Sequence, residues 1–438
     1  STINMNLSEA VNLLRGEPGS EAELWIQRAG WSEAKKFMVE RAIIKIDSVD
    51  SEPLKNKIGY VRIKNFQANT YSDLKSHLDG LREKMGGLQG LVLDMRDNPG
   101  GLLDQAIKVS DLFLEEGAIV STVGVGNRLR EKREAKKSGT EPNYPIAVLV
   151  NAGSASASEI VAGALQNHNR AVIVGDTTFG KGSVQVLYEF PDNSALKLTV
   201  AQYLTPGGIS IQSKGITPDI YAMPVTITKE DVDMFLSENI TREQDLASHL
   251  VSDAVRKKEV EAMQLVRYLR EVTDPEEEEF RDPDAFREDF EIRFGQRLVA
   301  AAGKASARPD FLEAVADEVA STDGDEFKTI SRELRKLGVD WAAGAVAKTA
   351  KLDVKIATAP DASQLEAGDE VAVTVTATNR GAGTLHQLKA VSRSDHSVLD
   401  DREFIFGKLT PGQTKKWTVK LTVPQDSPTR QDMMELQF

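Results

Sequence analysis

Three serines at alternate positions could supply a nucleophile. Ser154, Ser156 and Ser158 lie in a small-residue segment that follows an apolar stretch and precedes a helical pattern beginning near residue 157. A hydroxyl in such a turn lies at a helix N-terminus, where unpaired backbone N–H groups and the helix dipole stabilise developing negative charge. The segment therefore predicts a position suited to a nucleophilic serine.

A serine hydroxyl is a weak nucleophile unless a base lies within hydrogen-bond reach. The histidines that could serve as this base are His77, on an amphipathic helix, His168, at the far end of the helix after the serines, and His249, His386 and His396, outside the predicted catalytic region. A Ser-His-Asp triad stays open as the less supported alternative.

Lysine is the other available base. Lys181 lies between Gly180 and Gly182, and these small neighbours permit a close approach of other groups. To act as a base near neutral pH, a lysine must be buried enough to lower a pKa that starts near ~10.4. We predict that Lys181 is desolvated in the active enzyme.

Other polar residues near the serines have plainer structural interpretations. Ser154 and Ser158 are expected to be turn or cap residues, because serine is a preferred helix N-cap. Glu159, in the first helical turn, is expected to cap the helix or complement its dipole. The same interpretation would suffice for Ser156 alone, and the downstream segment around Lys181 is what favours catalysis.

The scaffold for these segments is predicted to be an α/β core over residues 47–225, where strand patterns alternate with helical ones. The continuously apolar runs LVLDM and IAVLV are typical of strands buried on both faces. The predicted strands cover residues 58–63, 91–95, 146–151, 172–175 and 196–204, and the predicted helices cover residues 71–85, 102–115 and 157–167. The loop DMRDNPGG leaves one of these strands and fits a strand-to-helix turn, because glycine supplies unusual dihedral angles.

Three regions flank this core. Residues 1–46 contain a short helix, two strand-like runs and the phrase RGEPGS, and they resemble the second half of a PDZ domain. Residues 226–348 are acidic and are predicted to form a helical domain. Residues 349–438 alternate with period two and predict a β-sandwich, which resembles the immunoglobulin-like modules of exported bacterial proteins.

Within the acidic region, capping-box-like patterns begin at Thr228 and Thr241, with Asp231 and Gln244 as their partners. The run DPEEEE at residues 274–279 is expected to be a solvated face or a helix start. A linear acidic run does not provide the converging ligands of a metal site.

Composition limits the other function classes. A chain of 438 residues is expected to be multidomain. The net charge of −13 disfavours nucleic acid as a partner, and the absence of cysteine excludes disulfides, thiolate metal sites and cysteine nucleophiles. No apolar run approaches the ~20 residues of a membrane span. The first residues lack the features of a signal peptide, so we expect a product from which an export signal was removed.

The segments GSASASEIVAGAL and GDTTFGKGSVQ resemble those of the C-terminal processing peptidases, the tail-specific family of serine peptidases. GYVRIKNF, LDMRDNPGG and YLTPGGISIQSKGITPD extend the resemblance over roughly residues 1–225. It implies that Ser156 is the nucleophile, Lys181 the general base and Gln185 a residue that helps to hold the lysine. It also implies a ββα-type core of the crotonase and ClpP kind. Many family members carry an acid where this chain has Asn167, so any role of that acid does not transfer.

The resemblance further implies an oxyanion hole made by the amide of Ala157 with that of Gly100 or Gly101. The expected activity is an endopeptidase that cleaves polypeptides near their C-termini through an acyl-enzyme, without metal or cofactor. The substrate is expected to lie extended beside a strand, where backbone pairing tolerates many sequences.

Relatives in this family work in the bacterial periplasm or equivalent spaces, so the resemblance implies an exported, envelope-associated protein. A protein activator or adaptor and a homo-oligomer stay open as partners. Two other functions also stay open: a catalytically silent peptide-binding or scaffold protein, and an acyl-CoA enzyme of crotonase-like architecture. The latter is disfavoured because the sequence has no recognisable nucleotide-holding segment.

Overall fold

The computed structural model describes most of the chain. The described residues are 5–28, 31–43, 47–124, 126, 128–192, 194–228, 232–235, 242–246, 264–271, 285–345, 347, 349–360, 365–396, 398–425 and 432–438. The acidic run 274–279, together with Asp231 and Thr241 of the predicted capping boxes, lies outside these residues. The described chain divides into two compact units, Ser1–Asp47 and Ser48–Phe438.

The first unit contains helix α1 (Leu7–Leu14) and an antiparallel pair of strands, β1 (Glu21–Ile26) and β2 (Lys35–Glu40). Asn6 and Glu9 form a capping box at the start of α1. The Arg41 guanidinium donates hydrogen bonds to the carbonyls of Leu14 at 2.7 Å and Glu21 at 2.9 Å, and so connects the helix to the hairpin. The short helix and the two strand-like runs predicted within residues 1–46 are all present.

A predominantly parallel sheet forms the centre of the second unit. Its strands are β3 (Val49–Pro53), β4 (Ile58–Ile63), β5 (Gly90–Asp94), β8 (Ile146–Val150), β9 (Val172–Gly175), β13 (Ile220–Ile227), β14 (Val232–Asp233) and β15 (Gln264–Leu269). The order is β14-β13-β9-β8-β5-β4-β3, and β15 also pairs with β13. Strands β4, β5, β8, β9 and β13 are parallel, so their carboxyl ends meet at one edge of the sheet. The predicted mixed α/β core is confirmed.

One face of this sheet is covered by three helices. They are α2 (Thr70–Met85), α3 (Leu103–Asp111) and α4 (Ala157–Asn167). Leu74 and Leu78 of α2, Val109 of α3 and Ile160 of α4 are fully buried in one apolar cluster with the sheet. The helix predicted over residues 102–115 ends earlier, at Asp111.

The other face is covered by helices from beyond residue 225. They are α5 (Phe290–Ala302), α6 (Arg308–Ala314) and α7 (Ala316–Lys336). Phe294 and Leu298 of α5 are fully buried against Val92 of β5 and Val174 of β9. Helices therefore cover both faces of the sheet, which agrees with the continuously apolar sequences of its central strands.

The structure differs from the predicted domain division at one boundary. The expected limit between residues 225 and 226 falls inside β13, and β15 continues the same sheet beyond it. Because α5 to α7 share a core with β5 and β9, the described part of residues 226–348 packs as one body with the α/β core. The rest of the division stays a prediction.

A second, antiparallel sheet carries one of the predicted site residues. Its strands are β6 (Ala118–Val123), β7 (Leu129–Glu134), β10 (Ser183–Glu189), β11 (Ala195–Thr205) and β12 (Ile209–Ser210). The order is β10-β11-β6-β7, with β12 on β11.

Residues beyond 350 form two three-stranded antiparallel sheets around a shared apolar core. One contains β16 (Leu352–Ala359), β17 (Glu370–Asn379) and β20 (Thr414–Thr422), and the other contains β18 (Leu385–Arg393), β19 (Glu403–Leu409) and β21 (Glu435–Gln437). Val373 and Val375 of β17 and Phe404 and Phe406 of β19 are buried between them. Within the described residues, no helix is both long and apolar enough to cross a bilayer.

Candidate active site

Ser156 is the N-cap of α4, at the end of the turn that follows β8. Its φ of 57° lies in the left-handed region, which a serine occupies only at a cost of about 1–3 kcal/mol. Its side chain is partly exposed, whereas Ala155 and Ala157 on either side are buried. The turn therefore presents one hydroxyl at the N-terminus of a buried helix.

The two neighbouring serines make structural hydrogen bonds. The Ser154 hydroxyl donates to the Met95 carbonyl oxygen at 2.8 Å, and the Ser158 hydroxyl donates to the Asn98 carbonyl oxygen at 2.9 Å. Both serine side chains are fully buried. These contacts agree with the turn and cap roles expected for them, and they leave Ser156 as the available hydroxyl of the three.

Glu159 connects the turn around Ser156 to the loop that carries Lys181. Its Oε2 accepts the N–H of Ser156 at 2.7 Å and the N–H of Lys181 at 2.9 Å. Its Oε1 accepts the Thr178 hydroxyl at 2.6 Å and the N–H of Gly180 at 2.7 Å. The backbones of the two predicted catalytic residues thus meet at a single carboxylate oxygen.

The carboxylate of Glu159 is fully buried. Burial raises the pKa of Glu159 to about 7, although the hydrogen bonds it accepts favour the ionised form. The side chain does more than cap a helix, because three of its four donors belong to the loop 178–181.

Lys181 lies in the loop between β9 and β10, and its side chain is partly buried. Among the residues that the structure describes, its Nζ makes no hydrogen bond or ion pair, and so it is not bonded to the Ser156 hydroxyl. Gly180 beside it has φ of 96°, and a Cβ there would lie 3.0 Å from the backbone N of Lys214. The close packing that the sequence suggested for this glycine is present.

Gln185 is placed apart from the lysine. It lies on β10 just after a bulge between Val184 and Gln185, and its side chain is exposed. Its Nε2 donates to the Thr199 hydroxyl at 3.4 Å, and no hydrogen bond to Lys181 accompanies this contact in the described chain. The holding role implied for Gln185 stays a prediction.

The glycine loop lies against the serine turn. A Cβ on Gly100 would lie 2.9 Å from both the Ala157 N and the Ser156 Cβ, and 2.7 Å from the Ala155 oxygen. Only glycine fits there, and its φ of 97° also requires one. The N–H of Gly100 donates to the Asn98 side-chain oxygen at 2.9 Å. The N–H groups of Ala157 and Gly101 have no acceptor among the described residues.

Two asparagines that the sequence did not single out hold these loops together. Asn98 donates from its side chain to the Ile63 carbonyl oxygen at 2.7 Å, and its own carbonyl accepts the Ala155 N–H at 2.9 Å. Asn151 exchanges hydrogen bonds with Asp97, with both distances at 2.9 Å. An asparagine near Pro-Gly-Gly predicts a turn, but nothing in the sequence indicates these partners across the fold.

Arg96 connects the same loop to helix α5. Its guanidinium lies 2.7 Å from Asp94 and 2.9 Å from Asp289, and it also bonds Glu291. Although burial opposes it, the charge of Arg96 holds the pKa of Asp94 below its ordinary value. Burial raises the pKa of Glu291 to about 7. Arg96 therefore connects the carboxyl end of β5, which leads into the glycine loop, to the start of α5.

The central part of the chain is similar to known proteases. Residues 57–222 match peptidase family S41. A carboxy-terminal-processing protease of Bartonella bacilliformis is 46% identical over 239 residues, which are 54% of this chain and 55% of that protein. The carboxy-terminal processing protease CtpA of Bacillus subtilis is 41% identical over 222 residues, 51% of this chain and 47% of that protein. The chain thus spans about half the length of these curated relatives.

Among solved structures, a photosystem II D1 C-terminal processing protease is 32% identical. The match covers 50% of this chain and 59% of that chain, with a TM-score of 0.38. The resemblance predicted from the serine and lysine motifs is confirmed by the family match and the named relatives.

Proposed function

We propose that this protein is a serine endopeptidase in which Ser156 is the nucleophile and Lys181 the general base, because residues 57–222 match peptidase family S41. The observation that carries the proposal is the shared contact of Glu159 Oε2 with the N–H groups of Ser156 and Lys181, at 2.7 and 2.9 Å. The turn that carries Ser156 follows β8 and the loop that carries Lys181 follows β9, so the contact lies at the edge where the carboxyl ends of these two neighbouring parallel strands meet.

The proposed reaction begins when the Ser156 Oγ attacks the carbonyl carbon of a peptide bond while the neutral Lys181 amine takes the hydroxyl proton. The carbonyl oxygen becomes an oxyanion, which the N–H of Ala157 stabilises at the start of α4. We assign the second donor to Gly101, because the N–H of Gly100 already donates to Asn98.

The tetrahedral intermediate then collapses. The C–N bond breaks, Lys181 gives its proton to the leaving amine, and an ester forms on Ser156. A water molecule, deprotonated by Lys181, attacks this ester and releases the carboxylate product and the free serine. The reaction needs Lys181 to be neutral when attack begins, so we propose that substrate binding excludes water from its partly exposed ammonium.

The substrate is proposed to be a polypeptide cleaved near its C-terminus, following the names of the curated relatives. We further propose an exported, envelope-associated location. The first unit would serve as part of a PDZ domain, and the two C-terminal sheets as an immunoglobulin-like accessory sandwich. Gln185 would hold Lys181 only after β10 rearranges, because its amide now bonds Thr199.

Cleavage of unfolded casein tests the proposal. Ser156→Ala and Lys181→Ala are expected to lower the rate by on the order of 10⁴-fold or more, because each removes a group that reacts. Lys197→Ala, which removes an exposed lysine on β11, is the matched control and is expected to keep the wild-type rate. Casein cleavage by Ser156→Ala at the wild-type rate would rule out this assignment.

A further inference from the structure

A short segment beyond the family match contacts the loop that carries Lys181. Glu243 begins a turn, Glu243–Asp245, that lies outside residues 57–222. Its side chain is buried, with 9% exposure, although it carries a carboxyl group. A buried carboxylate needs hydrogen-bond donors. For Glu243 the donor is the side chain of Gln212, which also bonds the loop that carries Lys181.

Two connections run from Glu243 to the loop, one on each side of Lys181. Its N–H donates to the carbonyl oxygen of Phe179 at 3.1 Å. Its Oε1 accepts a hydrogen bond from the Gln212 side-chain amide at 2.9 Å, and the Gln212 Oε1 accepts the N–H of Gly182 at 2.9 Å. The contacts therefore bracket Gly180 and Lys181.

The neighbouring residue anchors the same segment at the start of the loop. Arg242 lies 3.0 Å from Asp176, and both side chains are largely buried, with 21% and 25% exposure. The segment 242–243 thus follows the loop from Asp176 to Gly182.

Such support matters because of the glycines that flank the lysine. Gly180 and Gly182 have more conformational freedom than other residues, so a lysine between them loses its position easily unless its neighbours are held. Glu159 holds the loop from the side of α4, through the N–H groups of Gly180 and Lys181. Glu243 and Gln212 hold the loop on either side of those two residues, at Phe179 and Gly182.

We propose that Glu243, acting through Gln212, is a positioning residue for the general base Lys181. The inference rests on the proposed function for its catalytic meaning, while the holding of the loop itself is independent of it. It assigns to a segment beyond the family match a part in setting the active geometry. The side chain does not contact the reacting atoms, so its effect is on where Lys181 lies.

The test compares Glu243→Ala with two related variants and one control. Glu243→Ala is expected to lower kcat on a peptide substrate by about 10- to 100-fold with KM unchanged, because a small displacement of a catalytic group is costly. Glu243→Gln keeps an oxygen that can accept from Gln212, so it is expected to restore most of the rate. Gln244→Ala, an exposed neighbour, is the matched control and should behave as wild type.

A further readout separates positioning from a merely structural effect. Gln212→Ala should reproduce the loss, and the double variant should add little to it, because the two residues act in series.

Amide hydrogen exchange tests whether Glu243 holds the loop, independently of peptidase activity. The amides of Lys181 and Gly182 are expected to exchange faster in Glu243→Ala and at the wild-type rate in Gln244→Ala. This result would support the holding of the loop even if Ser156→Ala kept its peptidase activity, in which case only the proposed function would fail. Unchanged exchange, unchanged kcat in Glu243→Ala, or equal losses in Glu243→Ala and Glu243→Gln would each overturn the inference.

Discussion

At the scale of single residues, the site is held mainly by backbone contacts. Ser156 occupies a left-handed conformation that its neighbours impose, and its N–H is fixed by Glu159. Gly100 approaches so closely that no side chain fits between it and the serine. Such contacts place the hydroxyl through the backbone around it.

Gly100→Ala tests this close approach. The new Cβ would meet the Ala157 N and the Ser156 Cβ at 2.9 Å, so the serine turn must move. We expect peptide cleavage to fall at least about 100-fold. Gly87→Ala is the matched control, because Gly87 also has a positive φ, at 119°, but open space around it. Alanine at position 87 carries a similar backbone strain of about 1–3 kcal/mol, and this variant should keep the wild-type cleavage rate. Equal activity in the two variants would contradict the proposed packing.

The pKa of Glu159 predicts a pH-dependent stability. Burial raises this pKa from 4.5 to about 7, so the folded protein keeps a proton that the unfolded chain releases. The stabilising contribution is complete below pH 4.5 and is lost as the pH rises to about 7. We expect the free energy of unfolding of wild type, minus that of Glu159→Gln, to fall through this window by at most about 1.4 kcal/mol per pH unit.

Urea unfolding at several pH values between 4 and 8, at intervals of about one pH unit, measures this difference. Glu83→Gln, on the exposed side of α2, is the control for the chemical change itself. A wild-type minus Glu159→Gln difference that stays constant across the window would contradict a raised pKa at Glu159.

The proposed reacting residues stand out in the sequence more clearly than the residues that support them. Ser156 and Lys181 stand out because their types and flanking residues suit the chemistry. Asn98 and Thr178 do not, because a polar side chain in a loop could bond many partners, and only the folded chain brings Ile63 and Glu159 to them. The position of Glu159 in the first turn predicts that it caps α4, but no sequence pattern indicates its contacts to the loop some 20 residues away.

At the scale of elements, the central sheet depends on helices from distant parts of the chain. Apolar runs predicted β5 and β8 well, because strands buried on both faces are continuously hydrophobic. These apolar runs do not indicate which helices cover the two strands. The second face is covered by α5 to α7, and β15 joins the sheet from within a region whose acidic composition suggested a separate helical domain.

Leu298→Ala tests whether this cover belongs to the same cooperative body. Leu298 is fully buried on α5 against the sheet, so the change should lower the free energy of unfolding by about 2–5 kcal/mol. Leu129→Ala, at an exposed leucine on β7, should cost less than about 0.5 kcal/mol.

Thermal unfolding, followed together with the loss of casein cleavage, gives the measurement. We expect both to shift to lower temperature together in Leu298→Ala. If α5 unfolded in a separate transition while cleavage kept its wild-type temperature profile, the shared core would be disproved.

At the scale of the whole molecule, the candidate site and one of its proposed supports lie in different parts of the chain. The site is built from β5, β8, α4 and the β9–β10 loop, all within the family match. The lysine loop is also bound by residues 242–243, beyond that match. The two curated relatives match 54% and 51% of this chain.

The central claim is that Ser156 is made nucleophilic by Lys181. A fluorophosphonate probe, followed by mass mapping of the labelled peptides, tests it most directly, because the probe reacts with activated serines and needs no knowledge of the substrate. We expect a single label on Ser156, absent in Lys181→Ala and retained in Lys197→Ala. A label on another serine, or labelling of Ser156 that is unchanged in Lys181→Ala, would contradict it.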